Sequence, residues 1–410
     1  MTRRHTGKRR LLALAALALA AWLGACDDLK TADDPVAITA PDSPEAQARL
    51  KPLPSHLELR VEREQVDVCH RPFGLALSTD GETLFVACAG SGQVMAIDTE
   101  FFDTRWTSRK LYERTYKLVV DPRRSRVYAI GMNGRLVHAL DSRTGAVVAT
   151  LNVGGNTADL ALVPQLDRLI VTTTQPPHAA LIDLADFRVA GTVRFPTPPG
   201  SLAIRPDGQL AVASSGLWEV TVDNTAPVQE PLYLFDPRKS GRTVDSLGLG
   251  GTQSREALFV QNGSILLVPE RTSDTVAVYD VDNRSHLRTI QTGAAPEKIV
   301  PSPDGQWAFT QDSLGASITR IDVLHGTANG YVVLPANPQD LVVSPDGTEL
   351  YAALSGGPDK RGQLAVIDTQ SVSVVDLIAL GKDPCRIAFS HGGRKVYVTN
   401  FISDTLSVLE

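Results

Sequence analysis

The 410-residue chain is poor in the residues that usually announce chemistry. It holds four cysteines, three methionines and only 6% aromatic residues. It has no Cys-x-x-Cys-His for covalent haem, no Gly-x-Ser-x-Gly elbow for a hydrolase nucleophile and no glycine loop of the kind that cradles phosphate. The run "DVDNRS" at 280–285 hints at a calcium loop but lacks the required Gly and terminal Glu. Long apolar runs are scarce too. The thirteen residues of "LLALAALALAAWL" suit a signal segment and fall short of the roughly 20 that span a bilayer. Basic charge is the last shortage. Five of the 40 Lys and Arg residues, and none of the 46 Asp and Glu residues, precede Cys26, which leaves the remainder with a net charge near −11. Such a balance argues against a nucleic-acid partner, which needs a basic stripe, and against lying flat on an anionic membrane.

What is present begins at the N-terminus. Residues 1–10 are basic, the apolar run follows, and then come Leu23, Gly24, Ala25 and Cys26. This order resembles the lipobox of bacterial lipoprotein precursors. The resemblance implies that residues 1–25 are a signal peptide and that the Cys26 thiol carries the lipid. Residues 26–55 are rich in Asp, Pro and Ala without a sustained apolar period, so they read as a disordered tether. Two or three acyl chains suffice for stable anchoring. The expected address is therefore the bacterial cell envelope, with the folded part in the periplasm or at the cell surface. Asp27 resembles an inner-membrane retention signal of enteric bacteria, and the choice between inner and outer membrane stays open.

Residues 56–410 repeat. An acid closes a short β-patterned run at Asp98, Asp141, Asp183, Asp236, Asp280, Asp322 and Asp368, at spacings of 43, 42, 53, 44, 42 and 46, and 42 more residues reach Glu410. Upstream in most units stands a turn between two apolar runs, such as "LALSTDGETLFVA" or "LVVSPDGTELYAA". Asp-Gly in that setting is a strong hairpin signal. Each unit thus predicts strand, hairpin, strand, loop, strand, Asp turn and a more variable fourth strand. Four antiparallel strands in about 42 residues make one blade of a β-propeller. The expected fold is all-β, with eight blades; seven is the alternative, because "FFDTRWTSRKLYER" at 101–114 makes a poor fourth strand. The tetrapeptide Tyr397-Val398-Thr399-Asn400 resembles the signature of the YVTN-type β-propeller repeat family, a likeness that extends over nearly everything from about residue 69 onward.

The eighth unit reaches Glu410 after only its third strand. "HLELRVEREQV", at 56–66, alternates Leu57, Leu59 and Val61 with charged residues, as a half-exposed outer strand does. It is expected to complete the last blade and to protect that sheet edge.

Propeller connectivity sends the loop before each first strand and the loop after each second strand to one face. Alignment on the hairpins makes Cys88, Gly131, Thr174, Ser215, Glu270, Asp312, Leu354 and Asn400 equivalent at the second-strand end. Gly74, Lys117, Asp159, Ser201, Ala257, Lys298, Asp340 and Arg386 are equivalent in the first strand. Charges at Lys117, Asp159, Lys298, Asp340 and Arg386 are expected chiefly to pair across neighbouring blades or to be simply solvated, with recognition of a polar ligand at the channel as the rival reading. The candidate ligand or partner face comprises His70, Arg71, His178, Trp218, Glu270, Arg271, Asp312 and Asn400. No spacing ties a third ligand to His70 and His178, so no metal is expected. Three cysteines remain beside Cys26. Cys69 pairs with either Cys88 or Cys385, at most one bond forms, and an oxidising envelope favours one.

These readings add up to an envelope-anchored, non-catalytic lipoprotein. Its propeller would act as a monomeric platform for a protein or cell-surface partner, with no cofactor and no catalytic residues. The alternative rests on fold analogy. The fold is similar to that of lactonase-like hydrolases and of haem-dependent oxidoreductases, which would place an enzyme site at the channel mouth.

Overall fold

The computed structural model describes residues 50–51, 59–61, 64–111, 114–214, 231–242, 245–247, 256–357 and 360–410. The lipobox with Cys26 and the insertion residue Trp218 lie outside these residues.

Eight four-stranded antiparallel sheets form a ring. Blades 1 to 7 occupy 72–107, 115–152, 157–194, 201–247, 258–291, 296–333 and 338–382, and blade 8 occupies 384–409 with one strand from the N-terminal side. The innermost strands touch in succession, and that of blade 8 meets that of blade 1, so the ring is closed. Eight blades it is, and the doubtful fourth strand of blade 1 exists as the short Thr104–Thr107.

Local chemistry explains why each blade turns where it does. Asp98 Oδ1 accepts from the backbone N–H of Glu100 and Phe101 at 2.8 and 2.9 Å. Asp141 holds Arg143 and Thr144 in the same way, and Asp280, Asp322 and Asp368 each hold the residue three positions on. The recurring acid is thus an Asx-turn former between third and fourth strands. The hairpins have their own device. Ser78, Ser302 and Ser344 donate to the Asp two residues later, and the glycines that follow take a left-handed φ of 70–79°, which a side chain would resist.

Packing follows the ring. Each of the eight blade interfaces has its own apolar cluster, for example Tyr128, Leu160 and Ile182 between blades 2 and 3, and Tyr397, Leu84 and Val86 between blades 8 and 1. The second and third strands are buried on both faces this way, nearly continuously along their length, with hydroxyl residues among the apolar ones.

The closing strand differs in detail from expectation. Glu64–Asp67 pairs antiparallel with Thr405–Leu409 and completes blade 8. Leu59–Val61, whose alternation suggested the closure, instead runs parallel to the outer strand of blade 7, with Leu59 opposite Leu377. The third strand of blade 8 offers only five residues to pair with, so the longer N-terminal segment divides between two blades. Alternation marks a half-exposed strand at any sheet edge and does not say which edge. Leu50–Lys51 adds in parallel to the outer strand of blade 6. Gly241–Arg242 does the same to blade 3.

Candidate recognition face and channel

The channel mouth is built on a repeated irregularity. In blades 2, 3, 6, 7 and 8 the pairing of first and second strands skips one residue just before Lys117, Asp159, Lys298, Asp340 and Arg386. A bulge of this kind re-aims the side chain that follows it, here toward a neighbouring blade. Lys117 of blade 2 pairs with Asp159 of blade 3. Lys298 of blade 6 pairs with Asp340 of blade 7 at 2.5 Å, and Arg386 of blade 8 lies 3.9 Å from Asp340 on its other side. Each Asp also accepts a backbone N–H from the following blade, Leu202 for Asp159 and Ile387 for Asp340, at 2.9 and 2.8 Å. At blade 1 the equivalent residue is Gly74, where an added Cβ would sit 2.4 Å from the Tyr116 carbonyl oxygen. Glycine there lets blades 1 and 2 meet backbone to backbone.

Environment sets the two carboxyls apart. Burial pushes Asp159 above its ordinary value despite Lys117. Burial acts on Asp340 too, but Lys298 and Arg386 together hold it below.

The second-strand ends carry a different device. Asp312 is fully buried and accepts from Thr310, Thr319 and Ser317 hydroxyls at 2.7, 2.8 and 3.2 Å and from Gly293 N–H at 3.2 Å. Burial outweighs these bonds and raises its pKa to about 7. Asn400 stands at the equivalent place in blade 8, also fully buried, and donates to Thr405 and Ser407 hydroxyls. Its Oδ1 has no partner among the described residues. Glu270 is buried, and its carboxylate accepts from Thr275 at 2.9 Å. These three residues clasp the end of the second strand to the start of the third, and none of them lies on the accessible surface.

Arg271, expected beside Glu270 on the face, turns to Glu297 of blade 6 at 2.8 Å. His178 is buried, with Nε2 against the Val153 carbonyl and Nδ1 against Thr173 and Pro176. His70 and Arg71 do reach solvent, and both meet Asp404 of blade 8. The His70 ring lies 2.9 Å from one Asp404 oxygen, and the Arg71 N–H donates to the other at 2.7 Å. The Arg71 guanidinium also stands over the Phe401 ring, and Arg386 over Phe73. This seam between the first and last blades was invisible as a site because 334 residues separate His70 from Asp404. The sequence signal available was the 42-residue spacing of Lys117 from Asp159 and of Lys298 from Asp340, one blade in each case.

A disulfide joins Cys69 to Cys88 across 19 residues, and Cys385 is a buried thiol. The bond fixes the chain entering the ring to the end of a blade 1 strand. Among the described residues no three His, Cys, Asp or Glu side chains gather as a metal site.

The ring, its closure and its clusters define an eight-bladed β-propeller. No protein-family description matches the chain. It is 28% identical over 127 residues to the seven-bladed β-propeller protein Rv1057 of Mycobacterium tuberculosis, a match that covers 30% of this chain and 32% of that protein. The chain thus matches about a third of that relative's length. The C-terminal WD40 domain of Sif2 superposes with a TM-score of 0.68 at 11% identity, over 86% of this chain and 98% of that one. Dihydro-heme d1 dehydrogenase NirN in complex with DHE gives 0.63 at 16% identity, over 80% and 76%. At such identities the likeness is one of fold.

Proposed function

We propose that this protein is an envelope-anchored bacterial lipoprotein whose YVTN-like propeller is a non-catalytic platform for a protein or cell-surface partner. One observation carries the reading. The charged side chains that ring the channel are committed to joining blade to blade, which makes the ring a rigid scaffold with its adaptable chemistry in the loops of one face. Exposed His70 and half-buried Arg71, with Asp404, are polar groups of the closure seam on that face. The lipobox at Cys26 and the acid-rich stretch after it support anchoring by lipid, in the inner or outer membrane, with the propeller monomeric in the periplasm or at the surface.

Two experiments test the two halves. Metabolic labelling with an alkyne fatty acid should mark the wild type and not Cys26→Ala, and the variant should leave the membrane fraction; label retained by Cys26→Ala would refute anchoring there. A photo-crosslinking residue at position 70 should give one discrete adduct in the native envelope that Arg71→Glu abolishes. If no adduct forms and the purified protein instead is coloured or hydrolyses lactones, the enzyme alternative replaces the platform.

A further inference from the structure

Among the described residues, three of the eight blades carry a fifth strand on their outer edge, and all three are docked alike. Leu50 and Lys51 lie opposite Tyr331 and Val332 in blade 6. Leu59, Arg60 and Val61 lie opposite Leu377, Ile378 and Ala379 in blade 7. Gly241 and Arg242 lie opposite Val193 and Arg194 in blade 3. Each added strand is parallel, and each uses the same end of the fourth strand, the end that pairs with the start of the third. The outer edge of this ring therefore accepts extended chain in one defined way.

Blade 2 offers the same edge. Its fourth strand, Val147–Asn152, pairs with the third strand through the same bulge found in blades 3, 6 and 7, and no strand covers it among the described residues. Its side chains alternate half-buried and exposed, and exposed Val148 keeps 48% of its surface in solvent. The edge position equivalent to Val193, Val332 and Ile378 is Leu151, opposite Val137.

A second, independent observation is charge. Residues 108–152 carry nine Lys and Arg against three Asp and Glu, in a chain that is otherwise acidic. Arg143, in the turn that leads into the edge strand, is exposed, and so are Arg109 and Lys110 in the segment that joins blade 1 to blade 2. Arg109 is close enough to act electrostatically on His138, whose ring is 3.0 Å from the Thr150 hydroxyl of the edge strand. Blade 5 also has an uncovered edge among the described residues, Ser285–Gln291, but 258–291 holds four acids against three bases.

We propose that the outer edge of blade 2, centred on Thr150, Leu151 and Asn152, takes an extended acidic peptide segment of a partner protein as a parallel fifth strand. Main-chain hydrogen bonds to an exposed edge supply affinity in this mode, and the flanking side chains supply selectivity. The unpaired edge groups are a ready template, and the exposed cations Arg143 and Arg109 beside this blade favour carboxylates in the incoming strand. The proposal gives the platform a docking surface well away from the His70 seam, so it can fail while the crosslinking result there still stands.

The test is hydrogen exchange on the full mature chain with the synthetic peptide acetyl-EVEITVE-amide and its counterpart acetyl-KVKITVK-amide. The acidic peptide should slow exchange of the Val147–Asn152 amides at least tenfold, and the lysine peptide should leave them unchanged at the same concentration. Arg109→Glu/Arg143→Glu alters only exposed residues, so the ring should fold, and it should weaken the protection at least tenfold. No slowing at Val147–Asn152 overturns the proposal. So does equal slowing by both peptides, or slowing confined to Ser285–Gln291. Protection that grows with protein concentration in the absence of peptide would assign the edge to a second copy of this chain and overturn it as well.

Discussion

Blades 2 and 3 stand opposite blades 6 and 7 across the channel, and the two pairs carry the same staple with one difference. In both, a Lys after a first-strand bulge meets an Asp one blade on, and that Asp accepts a backbone N–H from the blade beyond. In the second pair the blade beyond also supplies Arg386, where blade 4 has only Ser201. That guanidinium helps to lower Asp340, while across the channel the Glu256 carboxylate adds to burial in raising Asp159. Asp159 is raised above its ordinary value and Asp340 is held below it. The comparison teaches that burial alone does not set the behaviour of a carboxyl; the charges within reach do so too.

The sharpest way to break this pairing is to remove the shared lysine. Lys117→Met leaves Asp159 buried with its ion-pair partner gone, and should cost about 3 kcal/mol, limited by the readiness of Asp159 to take up a proton. Lys298→Met leaves Asp340 with Arg386 and should cost about half as much. Urea denaturation midpoints of the two variants would decide it, and equal losses would mean that Arg386 contributes nothing.

A second comparison sets Asp312 against Asn400, the same clasp with and without a titratable group. Because the folded pKa of Asp312 is raised to about 7, its charged form is disfavoured by folding. Stability should therefore fall as pH rises from about 4 through 7, by on the order of 4 kcal/mol at most. Asp312→Asn, which copies blade 8, should abolish most of that slope and be the more stable protein at pH 8. A denaturation series from pH 4 to 8 that shows parallel curves for both proteins would remove the argument.

The smallest expected effect comes from Arg386→Ser, which makes blade 8 resemble blade 4. In the wild type Asp340 has a lowered pKa, so its contribution is present above pH 4 and lost as pH falls through the folded value. In the variant Asp340 should rise above its unfolded value and become a penalty that grows with pH. Loss of the Phe73 contact is a pH-independent offset; beyond it the two proteins should diverge by a further roughly 1–2 kcal/mol between pH 3 and neutral pH. Ser201→Arg should shift Asp159 in the opposite direction, and NMR titration of the two carboxyls would show both changes.

Much of the fold was legible because its instructions are local. The Asp of each "AID"-like run bonds to N–H groups two or three residues away, and the Ser-x-Asp-Gly hairpins close within six residues. Such signals survive in a bare sequence and repeat at the blade period. The candidate site was less legible. Asp312, Glu270 and Asn400 stand at loop-facing positions by alignment, yet the hydroxyls of Thr319, Thr275 and Ser407 turn them inward. Hydroxyl residues in β-rich runs look like ordinary strand formers, so nothing in their identity announces that they are partners.

The sequence by itself determined the blade and its turns, since each depends on residues a few positions apart, while the choice of eight blades over seven came from the folded ring. Tertiary structure alone decided which edge the N-terminal strand would complete, that Cys69 joins Cys88 and not Cys385, and that His70 and Arg71 meet Asp404. It also decided in which direction each buried carboxyl's pKa moves. Two physical reasons account for this: ring closure brings together groups more than 300 residues apart at the seam, and a cysteine's partner or the direction of a carboxyl's pKa answers to whatever groups the folded blades deliver, a quantity no local pattern encodes.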